Sequence, residues 1–195
     1  MQTLGLADAS ERSESRLKSL FWPSIQSGAD VDYLSAQGYW VCTFVGLTSL
    51  IFVFLAGRPI FAIALFLFFH FGGVGVRERD FLAAVAVFAF YTMDTLLALL
   101  FLLFASPWGM IVFRVVVTAL LFSNLRATWL ASSWKADSEE AALPPPFSAT
   151  WSDKFVDQWP MLVWPQVRII YYIFAFGLLS IVAIGFARMA MRSMF

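Results

Sequence analysis

Residues 169–187 read IIYYIFAFGLLSIVAIGFA, an apolar stretch that contains no charged side chain. A helix needs about 20 such residues to cross roughly 30 Å of hydrocarbon, because each residue rises about 1.5 Å. Arg188 and Arg192 follow the stretch and can reach the headgroups. The pattern therefore predicts a membrane-spanning helix over residues 168–187.

Four earlier stretches have the same apolar character. They predict spans over residues 36–57, 59–76, 81–104 and 108–130. Gly57 and Pro59 separate the first two spans, and Ser106 and Pro107 supply the turn chemistry of a tight hairpin between the third and fourth. The chain is predicted to be an all-α, polytopic integral membrane protein with five transmembrane helices.

The composition supports this class and excludes others. Only 13% of the residues are charged and 61% are hydrophobic, whereas a soluble domain carries about 25% charged residues. The 13 basic and 13 acidic residues cancel, so no basic field attracts nucleic acid and nucleic acid is not an expected partner. The single cysteine, Cys42, cannot form an intramolecular disulfide.

The chain divides into a polar N-terminal segment, residues 1–32, and a membrane domain, residues 33–195. Within the first segment, Asp8 to Trp22 begins with a capping-box pattern and ends before Pro23, which predicts a short amphipathic surface helix. The segment is too polar for a signal peptide, so we expect the first span to be retained as a helix.

Lysine and arginine residues are distributed unequally between the two ends of the predicted spans. One side collects nine of them: Arg12, Arg16, Lys18, Arg77, Arg79, Arg126, Lys135, Lys154 and Arg168. The other side has Arg58, Arg188 and Arg192, with Arg114 nearest to it. Because basic loops stay in the cytoplasm, this asymmetry predicts a cytoplasmic N-terminus and an external C-terminus, in a bacterial inner membrane.

The last connection contains a proline-rich spacer, Ala141 to Pro146, followed by an amphipathic segment. Trp151, Phe155 and Trp159 lie on one helical face of that segment, while its charged residues lie on others. This pattern predicts a short interfacial helix in the headgroup layer, in which these three residues and Trp164 act as anchors.

Three ionisable residues fall within the predicted spans, namely His70, Asp94 and Arg114. Asp94 lies near the middle of its span and is expected to face other helices. Two roles remain open for it: a neutral, hydrogen-bonded carboxyl that joins the third and fourth helices, or a group that handles protons or substrate. Arg114 is expected to extend toward the outer surface instead of neutralising Asp94.

Other polar residues are candidates for the surroundings of these groups. Thr92, Thr95 and Asn124 are expected to add hydroxyl and amide groups at the depth of Asp94. His70, the only histidine, is expected to pack or hydrogen-bond, with a single-ligand haem or pigment site as the alternative. The glycines at 72, 73 and 75 indicate a helix terminus, and the four alternating charges at 77–80 indicate a solvated turn.

The sequence contains no catalytic, nucleotide-binding or metal-binding motif, and no cofactor is predicted. The leading hypothesis is a non-enzymatic membrane protein that works by association, as an accessory subunit of a larger membrane complex or as a homo-oligomer. Its expected partners are membrane lipids and other membrane subunits or copies of itself. The alternatives are a small proton-coupled transporter or channel that uses Asp94, and a lipid-modifying membrane enzyme.

Overall fold

The computed structural model describes residues 24–25, 28–102, 108–134 and 154–192. These residues form helices and short turns, with no strand among them. The elements are α1 (Gly28–Leu55), α2 (Pro59–Arg77), α3 (Phe81–Leu102), α4 (Trp108–Trp134), a π-helical turn (Lys154–Gln158) and α5 (Trp159–Arg192). The predicted surface helix from Asp8 to Trp22 and the proline-rich spacer lie outside the described residues.

All five α-helices are long and apolar enough to cross a membrane. The prediction of an all-α, multi-pass integral membrane protein with five spans is confirmed. Two helices begin earlier than the predicted spans. The first helix begins at Gly28, before the predicted start at residue 36, and the last begins at Trp159, before the predicted start at residue 168.

The early start of α5 changes the interpretation of the last connection. The π-helical turn leads directly into α5, so Phe155, Trp159 and Trp164 lie on one continuous helical segment with the fifth span. They do not form a separate interfacial helix. Pro160 occupies the first turn of α5, where its missing N–H breaks no helical hydrogen bond, and this local preference helps to place the helix start there.

The helices pack in a consistent order. α1 to α4 contact one another in sequence and α4 closes onto α1, while α5 packs outside this set against α2 and α3. The centre of the core is aromatic: the ring of Phe68 lies 4.7 Å from that of Phe90 and 5.9 Å from that of Tyr171. α2 and α3 are therefore the central helices, because each contacts three others: α2 contacts α1, α3 and α5, and α3 contacts α2, α4 and α5.

Three glycines near the end of α2 permit these contacts. A Cβ placed on Gly73 lies 2.8 Å from Cys42 Cβ and 3.2 Å from the Tyr39 carbonyl oxygen, both in α1. A Cβ on Gly72 overlaps Val87 in α3, and one on Gly75 lies 2.5 Å from Trp164 in α5. The absence of side chains at these positions lets three helices approach the backbone of α2.

Replacing Gly73 with alanine should destabilise the fold by about 1–3 kcal/mol, because the new methyl group overlaps the backbone of α1. Thermal unfolding of the purified protein in detergent measures the change. Gly109→Ala in α4 is the matched control. A Cβ there meets nothing within 4 Å, and alanine favours a helix over glycine by about 0.5–1 kcal/mol. Equal stability of the two variants would contradict the close packing at Gly73.

Candidate functional site

Arg77, the last residue of α2, is a buried cation whose hydrogen bonds connect three elements. Its Nη1 donates to Asp32 Oδ1 at 2.6 Å and to Ser35 Oγ at 2.7 Å, both in α1. Its Nε donates to the Val156 carbonyl oxygen at 3.1 Å, in the π-helical turn. A buried guanidinium is tolerated only when its donors are satisfied, so Arg77 ties the end of α2 to α1 and to the start of α5.

Arg79 holds the turn after α2 in a conformation that favours glycine. The Asp80 and Arg79 N–H groups donate to the Gly75 and Val76 carbonyl oxygens, and Arg79 has φ 57°. This is a Schellman helix end, in which the left-handed residue is usually glycine. The guanidinium of Arg79 also lies 3.2 Å from Asp32 Oδ1, and this ion pair offsets part of the backbone strain.

Asp80 connects the same turn to α3 and α5. Its Oδ1 accepts a hydrogen bond from the Ala83 N–H at 3.1 Å, which caps the first turn of α3. Its Oδ2 accepts bonds from Trp164 Nε1 at 3.3 Å and from the Tyr172 hydroxyl, both on α5. One carboxylate therefore fixes the start of α3 against the side of α5.

These contacts correct two predictions. Residues 77–80 are not a solvated turn, because Arg77 is buried and Asp80 accepts donors from two helices. Trp164 is 5% exposed and packs inside the protein, so it is not an interfacial anchor. Phe155 and Trp159 are each exposed, and Trp151 lies outside the part of the chain that the structure describes.

Sequence reasoning missed Asp32, Ser35 and Tyr172, the partners of this turn. Asp32 precedes Arg77 by 45 residues and Tyr172 follows Asp80 by 92, so no local pattern joins them. One signal was present: Asp32 and the 77–80 charges fall at the same end of adjacent predicted spans. Opposite charges at one end of two antiparallel helices are candidates for pairing.

Asp94 of α3 and Arg114 of α4 form the second charged contact. Arg114 Nη1 donates to Asp94 Oδ2 at 2.6 Å. The expectation that Arg114 avoids Asp94 was wrong. Asp94 lies eight residues before Leu102, about 12 Å from the end of α3. Arg114 lies six residues after Trp108, about 9 Å from the start of α4, and an arginine side chain is long enough to span the difference in depth between the two residues. The carboxyl joins α3 to α4 as predicted, but as one member of an ion pair.

The predicted polar surroundings of Asp94 are only partly assembled. Asn124 is buried against Gly38 of α1 and donates to the Leu120 carbonyl oxygen at 2.9 Å, so it belongs to the region near the 77–80 turn. Thr92 and Thr95 do lie beside Asp94 in α3. Their Oγ1 atoms are buried without a hydrogen-bond partner among the described residues.

Asp94 lies on the inward face of α3 but is not covered. Phe90 and Val87, one and two turns earlier on the same face, are buried, whereas the Asp94 side chain is 51% exposed. Two other helices also pass from buried to exposed on their inward faces. In α1, Val45 is buried and Phe52, on the same face, is 67% exposed. In α4, Val117 is buried and Met110, on the same face, is 53% exposed. The bundle therefore has a closed end, at turn 77–80, and an open end, at Phe52, Asp94 and Met110.

His70 is half-buried among aromatic rings. It stacks on Phe66 with ring centroids 5.6 Å apart and an interplanar angle of 10°, and it lies 6.1 Å from Tyr39. Its Nδ1 is buried without a hydrogen-bond partner in the described ranges. No group of three or more histidine, cysteine, aspartate or glutamate side chains that could hold a metal ion occurs in those ranges.

Replacing Arg77 with alanine should destabilise the protein by about 3–5 kcal/mol, because it removes a buried cation that donates to both Ser35 Oγ and Val156 O and leaves the Asp32 carboxylate without this counterion. Chemical unfolding in detergent measures the loss. Arg79→Gly is the matched control. It removes one ion pair, which lowers the stability of the fold, and it relieves the strain of a left-handed backbone, which raises that stability, so the net change should be small. An Arg77→Ala variant as stable as Arg79→Gly would refute the central role of Arg77.

The Asp94–Arg114 pair predicts non-additive stabilities. Arg114→Leu alone leaves a carboxylate without its counterion inside the membrane, whereas Asp94→Leu with Arg114→Leu removes both charges. The single variant should be less stable than the double variant by about 1–2 kcal/mol. A thermal-unfolding cycle of the wild type, both single variants and the double variant measures the coupling, and additive losses would show that the pair does not form.

Comparisons of the chain with known protein families, with curated proteins and with solved structures find no match. The clearest functional features are therefore those of the molecule itself: a charged turn that closes one end, an ion pair at the open end, and a fifth helix outside the four-helix set.

Proposed function

We propose that this protein works by association within the membrane, as a homo-oligomer or as an accessory subunit of a larger membrane complex, and that α5 provides the contact surface. The observation that carries the proposal is the pair of glycines on the exposed side of α5. A Cβ at Gly177 or Gly185 meets nothing within 4 Å, whereas one at Gly72, Gly73 or Gly75 overlaps a neighbouring helix.

The two sides of α5 differ in what they contact. Trp164, Tyr171, Ala175 and Leu178 are buried and face α2 and α3. The opposite side, which we call the α5 outer stripe, is exposed and recurs every three or four residues. It consists of Ile170, Ile173, Gly177, Ile181 and Ile184.

Glycine is an unfavourable choice for a helix surface that meets only lipid. It destabilises a helix by about 0.5–1 kcal/mol relative to alanine and offers lipid chains no side chain to contact. Where a second helix packs against this surface, glycine is favourable, because the backbones of the two helices can then approach closely. The glycines of α2 have this role within the chain, and we infer that Gly177 has it toward a neighbouring membrane helix.

The proposal extends to orientation and location. We propose that the protein lies in a bacterial inner membrane with its closed end on the cytoplasmic side. The orientation rests on the basic residues of the segments that flank the spans, because these residues concentrate at the closed end. Arg77, Arg79 and Arg126 lie at or near that end, while Arg58 and Arg188 lie near the other. In this orientation, the α5 outer stripe crosses the membrane beside α2 and α3.

Gly177→Leu should separate the protein from its partner without unfolding it, because the new side chain blocks close approach from outside and meets nothing inside. The measurement is particle mass by light scattering after mild-detergent extraction from the native membrane, together with thermal stability. Ile173→Leu, which conserves volume on the same stripe, is the control and should keep the wild-type mass.

The composition of the extracted particle distinguishes the two forms of association. A particle of this chain alone indicates a homo-oligomer, and a stoichiometric second protein indicates an accessory subunit. A wild-type particle that contains one copy of this chain and no other protein would refute the proposal. So would a Gly177→Leu particle that keeps the wild-type mass.

A further inference from the structure

Pro165 interrupts the hydrogen bonding of α5 between the start of the helix and the α5 outer stripe. Proline has no N–H group, so the Met161 carbonyl oxygen has no helical donor, and the proline ring crowds that carbonyl. A helix bends more easily at such a turn. The direction of residues 166–192, which include the whole outer stripe, is therefore not set by residues 159–164 alone.

The segment before Pro165 is held by the closed end. The Val156 carbonyl oxygen, in the π-helical turn that leads into α5, accepts a hydrogen bond from Arg77 Nε at 3.1 Å. Trp164, the residue before the proline, is buried against Gly75 of α2. These contacts give the rest of α5 a fixed point of departure, but the proline leaves its direction to other contacts.

Asp80 holds both sides of the proline. Its Oδ2 accepts hydrogen bonds from Trp164 Nε1 at 3.3 Å and from the Tyr172 hydroxyl. Trp164 precedes Pro165 and Tyr172 lies seven residues after it, so one carboxylate oxygen joins the two segments of α5. The other oxygen, Oδ1, accepts a bond from the Ala83 N–H at 3.1 Å. The second segment of α5 is thereby positioned relative to the start of α3.

Apolar packing controls the second segment over only part of its length. Its buried side chains are Tyr171, Ala175 and Leu178. No described side chain in residues 179–188 is buried, and the outer stripe continues there to Ile184. A change of about 10° in the bend at Pro165 moves Ile184 by about 5 Å, because the helix between them extends about 28 Å. Small changes near the proline therefore move the far half of the stripe.

We propose that Asp80 positions the α5 outer stripe by holding both sides of Pro165, and that it so sets the direction in which Gly177 faces a neighbouring membrane helix. The neighbouring helix rests on the function proposed above, whereas the position of α5 does not. Close approach requires that the glycine point at the partner, so a bend that turns Gly177 aside weakens the contact. Asp80 acts through Trp164 and Tyr172 and not through contact with the partner.

Tyr172→Phe tests this role, because it removes the hydroxyl that donates to Asp80 and keeps the aromatic ring. Tyr171→Phe is the matched control. The Tyr171 hydroxyl is buried without a hydrogen-bond partner among the described residues, so its loss breaks no such bond. The two variants make the same chemical change at adjacent positions, and only the first releases the second segment of α5 from Asp80.

The position of α5 is measured as the distance between spin labels on cysteines introduced at Leu96 in α3 and Ala183 in α5. Both positions are exposed, and Ala183 lies off the outer stripe. Dilution with unlabelled full-length protein restricts the signal to pairs within one chain. Tyr172→Phe should shift or broaden this distance by about 5 Å, the effect of a bend change of about 10° on Ala183. Tyr171→Phe should keep the wild-type distance.

Two further measurements separate positioning from a general structural effect. Pro165→Ala restores the hydrogen bond to the Met161 carbonyl oxygen and stiffens α5, so Tyr172→Phe should leave the label distance unchanged in that background. Particle mass after mild-detergent extraction reports on the partner. Tyr172→Phe should lower the share of protein in the associated particle, and Tyr171→Phe should not.

Equal label distances in the two tyrosine variants would overturn the role of Asp80. So would a shift that persists undiminished in the Pro165→Ala background. A shifted distance with a wild-type particle mass would sever the position of α5 from the partner and leave the proposed function standing. A wild-type particle with one copy of this chain and no other protein would refute the proposed function, while the label distances still decide whether Asp80 positions α5.

Discussion

The buried guanidinium of Arg77 is the constraint on which the other contacts of the closed end depend. A cation removed from water must find partners for its donors, and those partners lie on α1 and on the π-helical turn before α5. Once they are in place, Arg79 adopts a left-handed conformation that is unusual for its residue type, and Asp80 reaches the start of α3 and the side of α5. Four helices are thereby positioned by a turn of four residues.

This turn also explains why the neighbouring glycines are needed. Arg77 fixes the height of α2 relative to α1, and Asp80 fixes α3 and α5 relative to α2. The helices then meet α2 at Gly72, Gly73 and Gly75, within about one and a half turns of Arg77, where no side chain fits. Charge pairing and close backbone packing are thus coupled. Polar contacts set the register, and dispersion contacts along α2 stabilise it.

The sequence predicts the five helices well because the membrane imposes a strong requirement on every spanning segment. All backbone groups must be paired within the segment, so length and hydropathy are sufficient signals. They fail at the helix ends, where polar residues such as Asp32 in α1 and Arg168 in α5 continue a helix without belonging to its apolar part. The sequence also fails to predict the contacts of turn 77–80, because the alternation of charges is the same whether the turn faces water or residues distant in sequence. The Asp94–Arg114 contact was misjudged for a related reason: side-chain reach decides it, not residue depth alone.

The two ends of the bundle differ in how their charges are used, and this difference has a functional consequence. At the closed end Arg77 and Asp80 each have partners on two other elements, so these charges hold the fold. At the open end, Asp94 and Arg114 make one contact among the described residues, the ion pair between the adjacent helices α3 and α4. A contact between α3 and α4 does not require α1 to lie close, which is consistent with the exposure of Phe52. The α5 outer stripe is different again, because it is apolar throughout and Gly177 within it leaves room for the backbone of another helix.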